Sequence, residues 1–228
     1  LRGLEEGIEK ESRDAMSDKE TAFLGKITAG MTHEFMNVLA TIGQTSGLME
    51  DLLILCQETS FPHQDKFTQI LTKIKTQVSR GSEIGTRLKD FAHSMDEKYT
   101  RVDVNELMEQ VVFIMNRFAN LKKMELHFKP VESELSIDVD LFRVEMAIAK
   151  CIEKCIEYAA HGDAIRLQFK NDPGAIGFQV FVVSDSNIDS HAMADDLLEI
   201  EETLASLGAR IKAIVSPPSA GLDLVLSS

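Results

Sequence analysis

Apolar residues between Lys19 and about Leu55 recur every three or four positions, at Leu24, Ile27, Met31, Phe35, Val38, Ile42, Met49 and Leu52. That spacing predicts one long amphipathic helix. Phe61-Pro62-His63 interrupts it, because proline cannot continue a helix and restricts the residue before it. A second stripe through Phe67, Ile70, Ile74, Val78, Ile84, Leu88, Phe91 and Met95 predicts another long helix. Two long helices with a short connection form an antiparallel hairpin, and one hairpin alone leaves each stripe half covered. Pairing two hairpins into a four-helix bundle covers both, so a homodimer is expected. Ahead of the hairpin, Leu1, Leu4 and Ile8 among acidic residues predict a short helical lead-in or linker over residues 1–16. It reads equally as a coiled-coil feed from an upstream module and as a frayed terminus.

After Thr100 the pattern changes to alternating helices and strands. Helices are predicted at Val104–Leu121, Leu141–Ala160 and Asp195–Leu207, the last closed by Gly208 as its C-terminal cap. Strands are predicted at Glu125–Phe128, Ala164–Phe169, Ile176–Val183, Ala209–Val215 and Gly221–Leu226. Asn171-Asp172-Pro173-Gly174 and Ser216-Pro217-Pro218-Ser219 supply turns between strands. Helices on one face of a mixed sheet make an α/β sandwich. The fold class is therefore α+β, with a hairpin domain over residues 17–99 and a sandwich domain over 100–228.

Composition narrows the function. Hydrophobic residues make up 44% and charged residues 27% of the 228, as in an ordinary soluble protein. No apolar run approaches the ~20 residues that span a bilayer, and the charge-rich first twenty residues do not read as a secretory signal. No direct membrane contact is expected. The net charge of −13 argues against a nucleic-acid partner, whose phosphates need a basic surface. The acid is uneven: 12 Lys+Arg stand against 16 Asp+Glu over residues 1–100, and 12 against 21 over residues 101–228. Cys56, Cys151 and Cys155 form no paired framework and read as buried core residues in a reducing cytoplasm. A zinc site from Cys151 and Cys155 lacks a second ligand pair, so no metal is expected.

The first helix carries His33-Glu34-Phe35-Met36-Asn37. His33 lies two residues past the core position Met31, about 200° round the helix, and so faces solvent. Its ring nitrogen is nucleophilic near neutral pH. Glu34 can orient the ring or accept a proton. Asn37, one turn on, can position a water or a phosphoryl oxygen. On these residues alone a solvated surface His–Glu pair is the first reading. A zincin-like site fails, because Asn37 stands where the second histidine would be.

The segment from Leu24 to Ile42, with Gly30-Met31-Thr32-His33-Glu34-Phe35-Met36-Asn37 at its centre, resembles the phosphoacceptor segment of sensor histidine kinases. The second helix and Val102-Asp103-Val104-Asn105-Glu106-Leu107 continue the likeness into the catalytic domain of that family, from roughly residue 17 to 228. The resemblance implies a dimerisation and histidine-phosphotransfer hairpin, His33 as phosphoacceptor, and a response-regulator receiver domain as partner.

It also implies a nucleotide site, and there the sequence departs from the family pattern. Two asparagines, one of them a magnesium ligand, are matched by Lys150 and Lys154 on the helix from Asp140 to Cys155. An ammonium repels the metal and has no lone pair to donate. The adenine-reading aspartate survives as Asp185, but Asn187 and Asp189 replace glycines that admit the nucleotide to the backbone. The phosphate lid and its glycine motif are missing, and six carboxylates with no Lys or Arg fall between Asp189 and Glu202. A triphosphate there meets like charge at every step. No cofactor is expected.

Four functions fit these residues. The first is a phosphorelay intermediate passing phosphoryl groups between His33 and receiver aspartates, similar to dimeric histidine phosphotransferases with degenerate kinase domains. The second is a receiver phosphatase, since an acid after the histidine and an amide one turn later can place a water. The third is a non-catalytic pseudokinase scaffold, and the last an active kinase with a divergent ATP site.

Overall fold

The computed structural model describes residues 2–55, 64–95, 99–132, 134–172, 175–184, 197, 201, 209–216 and 219–227. The chain divides into two compact units, Leu24–Asp90 and a larger one made of Leu1–Phe23 with Phe91–Ser228.

Helix α1 runs over Arg2–Leu55 and α2 over Gln64–His93. The lead-in and the first predicted helix are thus one helix from Arg2. The break at Phe61-Pro62-His63 and the position of Cys56 lie outside the described residues. Within the smaller unit, Ile27, Met31 and Val38 of α1 and Phe67, Ile70 and Ile84 of α2 are buried. Gly81 lets the two helices approach closely, since a Cβ there would stand 3.2 Å from Val38 Cγ1 and 3.6 Å from Phe35 Cε2. Within this unit two residues of the apolar stripes remain open: Phe35 is 39% and Val78 51% exposed, alongside Met36, Leu39 and Leu71.

In the larger unit the strands are β1 (Thr100–Asp103), β2 (Glu125–Lys129), β3 (Ser136–Val139), β4 (Ala164–Asp172), β5 (Ala175–Val183), β6 (Ala209–Ser216) and β7 (Ser219–Ser227). The helices are α3 (Val104–Leu121) and α4 (Leu141–Tyr158). Five strands form a mixed sheet in the order β2-β4-β5-β7-β6, with β2 parallel to β4 and the other pairs antiparallel. Strand alternation sends Ile165, Leu167, Phe178, Val180, Val182, Leu222 and Leu224 to one buried face. Helix α4 packs on β4, β5 and β7, and α3 packs on α4 and β2. This is the expected α/β sandwich. The predicted helix at Asp195–Leu207 and its Gly208 cap lie outside the described residues, apart from Leu197 and Glu201.

Two strands escaped the sequence reading. β1 and β3 pair antiparallel as a separate two-stranded sheet, Thr100 opposite Val139 and Asp103 opposite Ser136. Asp103 then caps α3, its carboxylate accepting from the Asn105 and Glu106 amides at 2.8 and 3.3 Å. The Asn105 side chain clasps the loop after β2 through both partners of Val131, donating to its carbonyl at 3.1 Å and accepting from its amide at 2.8 Å. In the main sheet Gly221 is required by close approach: a Cβ would stand 2.2 Å from the Val180 carbonyl oxygen.

Around the start of α4 the larger unit gathers residues from three segments. Phe23, Phe91 and Phe142 contact one another at centroid distances of 5.7 to 5.8 Å. Arg143 donates to Glu20 at 2.7 Å. Beside this cluster Glu145 is almost fully buried. Ser94 Oγ lies 2.8 Å from Glu145 Oε2 and 2.7 Å from the Phe91 carbonyl oxygen. Burial, only partly opposed by the Ser94 hydrogen bond, pushes the Glu145 carboxyl from 4.5 up to about 8.

The folded state therefore holds a proton that the unfolded chain has lost at neutral pH. Stability from the neutral group is complete below pH 4.5, declines as pH rises through the window, and is gone above about 8. The slope reaches at most about 1.4 kcal/mol per pH unit. In urea unfolding between pH 5 and 9, Glu145→Gln should flatten the decline relative to the native chain. Parallel stability curves for the two proteins would show that Glu145 is ionised in the folded state.

Candidate functional site

The three residues singled out on α1 are brought to one level of the hairpin. His33 and Asn37 are exposed and Glu34 is partly buried. Asn37 Nδ2 lies 3.2 Å from His33 Nδ1. In this orientation the amide donates to a lone pair on Nδ1, which puts the ring proton on Nε2. Turning the amide over presents its oxygen to an Nδ1 proton and leaves the lone pair on Nε2. Either way Asn37 occupies Nδ1, and Nε2 is the ring nitrogen directed away from the amide. The helical spacing of four residues makes the contact local, so it needs no support from a second element.

Glu34 is engaged elsewhere. Arg80 Nη2 of α2 donates to Glu34 Oε1 in an ion pair across the hairpin, with the two side chains 55% and 27% exposed. Arg80 was not singled out from the sequence. It sits on the polar side of α2 and looks like any solvated cation; its one distinguishing signal is the following residue, Gly81. By letting α2 meet α1 at Val38 and Phe35, Gly81 sets Arg80 beside the turn that carries Glu34.

The positions matching the nucleotide site are less fully described, since Asp185, Asn187 and Asp189 lie outside the described residues. Lys150 and Lys154 are on α4 and turn to carboxylates of the same helix. Lys150 Nζ stands 3.9 Å from Glu153, and Lys154 Nζ stands 2.9 Å from Glu157 and 5.9 Å from the Tyr158 ring centroid. Cys151 and Cys155 are fully buried, and Cys155 Sγ lies 3.7 Å from the Val180 carbonyl oxygen. Burial raises the Cys151 thiol to about 12, and burial followed by the proximity of Cys151 raises Cys155 well above its ordinary value. Such thiols stay protonated and serve as core packing.

No family model matches the chain, and no curated protein matches it. Solved structures do. The chain is similar in fold to histidine kinases. The catalytic domain of histidine kinase ThkA aligns over 57% of this chain and 96% of its own, at 13% identity and a TM-score of 0.49. ThkA in complex with response regulator protein TrrA aligns over 100% of this chain and 67% of its own, at 15% identity and a TM-score of 0.49. The Acinetobacter baumannii histidine kinase AdeS aligns over 86% of this chain and 97% of its own, at 14% identity and a TM-score of 0.45. Among the described residues no helix is long and apolar enough to cross a membrane.

Proposed function

We propose that this chain is a two-component signalling protein that exchanges phosphoryl groups between His33 and receiver-domain aspartates without using ATP. The observation that carries the reading is the Asn37 amide on His33 Nδ1 at 3.2 Å, within a segment that resembles a histidine-kinase phosphoacceptor. The contact holds the ring, and with the amide turned so that its oxygen accepts from Nδ1–H the lone pair stands on Nε2, which is the attacking atom in this reading. In the forward step the Nε2 lone pair attacks phosphorus of the receiver's aspartyl phosphate. The P–O bond to the carboxylate breaks and the carboxylate leaves as an anion. The reverse step returns the group to a second receiver. Nothing is oxidised, and the nucleophile in each direction already carries its electron pair. Metal help, if the receiver brings it, comes from the receiver.

Loss of ATP use rests on α4. The two lysines that replace the asparagines are tied to Glu153 and Glu157, and an ammonium held there offers magnesium repulsion in place of a ligand. The dimer rests on the hairpin: Phe35 and Val78 belong to the apolar stripes yet stay 39% and 51% exposed in one chain. Their burial by a second hairpin gives the four-helix bundle.

A receiver phosphatase is the second reading. Glu34 and Asn37 are the acid and amide it would use, and the Arg80 contact shows the acid already committed to another partner.

Three measurements test this. A phosphorylated receiver incubated with the chain and no nucleotide should lose its label to an acid-labile phosphohistidine, and His33→Ala should abolish the loss. Inorganic phosphate released without such an intermediate would establish hydrolysis, and a label left on the receiver would leave only the scaffold. Calorimetry with Mg-ATP should give no binding heat; tight binding would reinstate the divergent kinase. Light scattering should give a dimer at micromolar concentration, weakened by Ile27→Asp with Ile74→Asp, which put carboxylates in the bundle core. A monomeric native chain would refute the bundle.

A further inference from the structure

Relay and hydrolysis share His33 and Asn37 but differ in one chemical requirement. When a receiver aspartate attacks phosphohistidine, the nucleophile is an ionised carboxylate and no proton has to be removed. When water attacks, it must shed a proton, and a carboxylate beside the phosphoryl group is the natural acceptor. Glu34 is the residue next to His33, so its carboxylate is the group that can supply this base. Its Oε1 is held by Arg80 from the opposite helix. The pairing is imposed by the packing: Gly81, the next residue, seats α2 against Val38 and Phe35, one turn or less from Glu34.

We propose that Arg80 is a positioning residue that restrains Glu34, so that phosphohistidine at His33 survives water long enough to be transferred. This deepens the phosphoacceptor reading of His33 and rests on it. A carboxylate accepting charge-assisted hydrogen bonds from a guanidinium on the facing helix is held toward α2. When the pair opens, Glu34 takes a proton from water as the water oxygen attacks phosphorus. The P–N bond breaks, the electron pair returns to the ring nitrogen, which is then protonated, and inorganic phosphate leaves. Arg80 thereby favours transfer over hydrolysis without touching the reacting atoms.

The test needs no partner protein. The 228-residue chain is phosphorylated with labelled phosphoramidate, whose phosphorus is attacked by the ring nitrogen as ammonia departs. Excess donor is removed and the label on His33 is followed at neutral pH. Arg80→Gln should lose label roughly two- to fivefold faster than the native chain, the occupancy that an exposed ion pair commands. Arg80→Lys, which keeps the charge, should return the lifetime close to native. Adding Glu34→Gln to Arg80→Gln should remove the acceleration, an effect that a merely structural role of Arg80 would not produce. Equal lifetimes in the native chain and Arg80→Gln would overturn the proposal, as would an acceleration that persists in the double variant. Failure to label His33 at all is a separate outcome, and it refutes the phosphoacceptor reading itself.

Discussion

The close approach of α2 to α1 at Gly81 is the constraint on which the site depends. With no side chain at that position, Val38 Cγ1 comes within 3.2 Å of where a Cβ would stand. This one contact fixes the level at which α2 faces α1, and so which α2 residue meets the turn bearing His33, Glu34 and Asn37. Arg80 falls there and takes the Glu34 carboxylate. The two neighbours of the histidine are thereby given separate tasks. Asn37 stays with the imidazole through a contact local to one helix, and Glu34 is drawn to the other helix.

The larger unit shows a domain held by its core. Its sheet face and the facing sides of α3 and α4 are closed by apolar packing, with Phe178, Ile148, Ile152 and Ile165 wholly buried. On its other positions α4 carries Lys150 and Lys154, which pair with the helix's own glutamates. The aromatic and polar contacts of Glu20, Phe23, Phe91, Ser94 and Glu145 around the start of α4 belong to this packed framework. The buried Glu145 makes part of it sensitive to pH.

Periodicity made most of the fold legible. α3 occupies the predicted Val104–Leu121, and α4 stops at Tyr158, two residues before the predicted end, where Ala159 turns extended. β1 and β3 were not legible, because four residues give too little alternation to stand out and their pairing is non-local. The local part of the site was legible for a related reason: the His33–Asn37 contact joins residues one helical turn apart. Arg80 was not, since its partner lies 46 residues away and only the helix crossing brings them together. Glu145 is a similar case. Its burial rests on packing from separate segments, and Ser94, its hydrogen-bond partner, comes from beyond the end of α2.

The central claim is that His33 carries the phosphoryl group, on the nitrogen opposite Asn37. The most direct measurement is 31P NMR with peptide mapping of the chain after exposure to a phosphorylated receiver in the absence of nucleotide. A phosphoramidate resonance that maps to His33 and matches Nε2 substitution is the result expected. A chain that stays unphosphorylated, or one that carries phosphate on any other residue, would contradict the account.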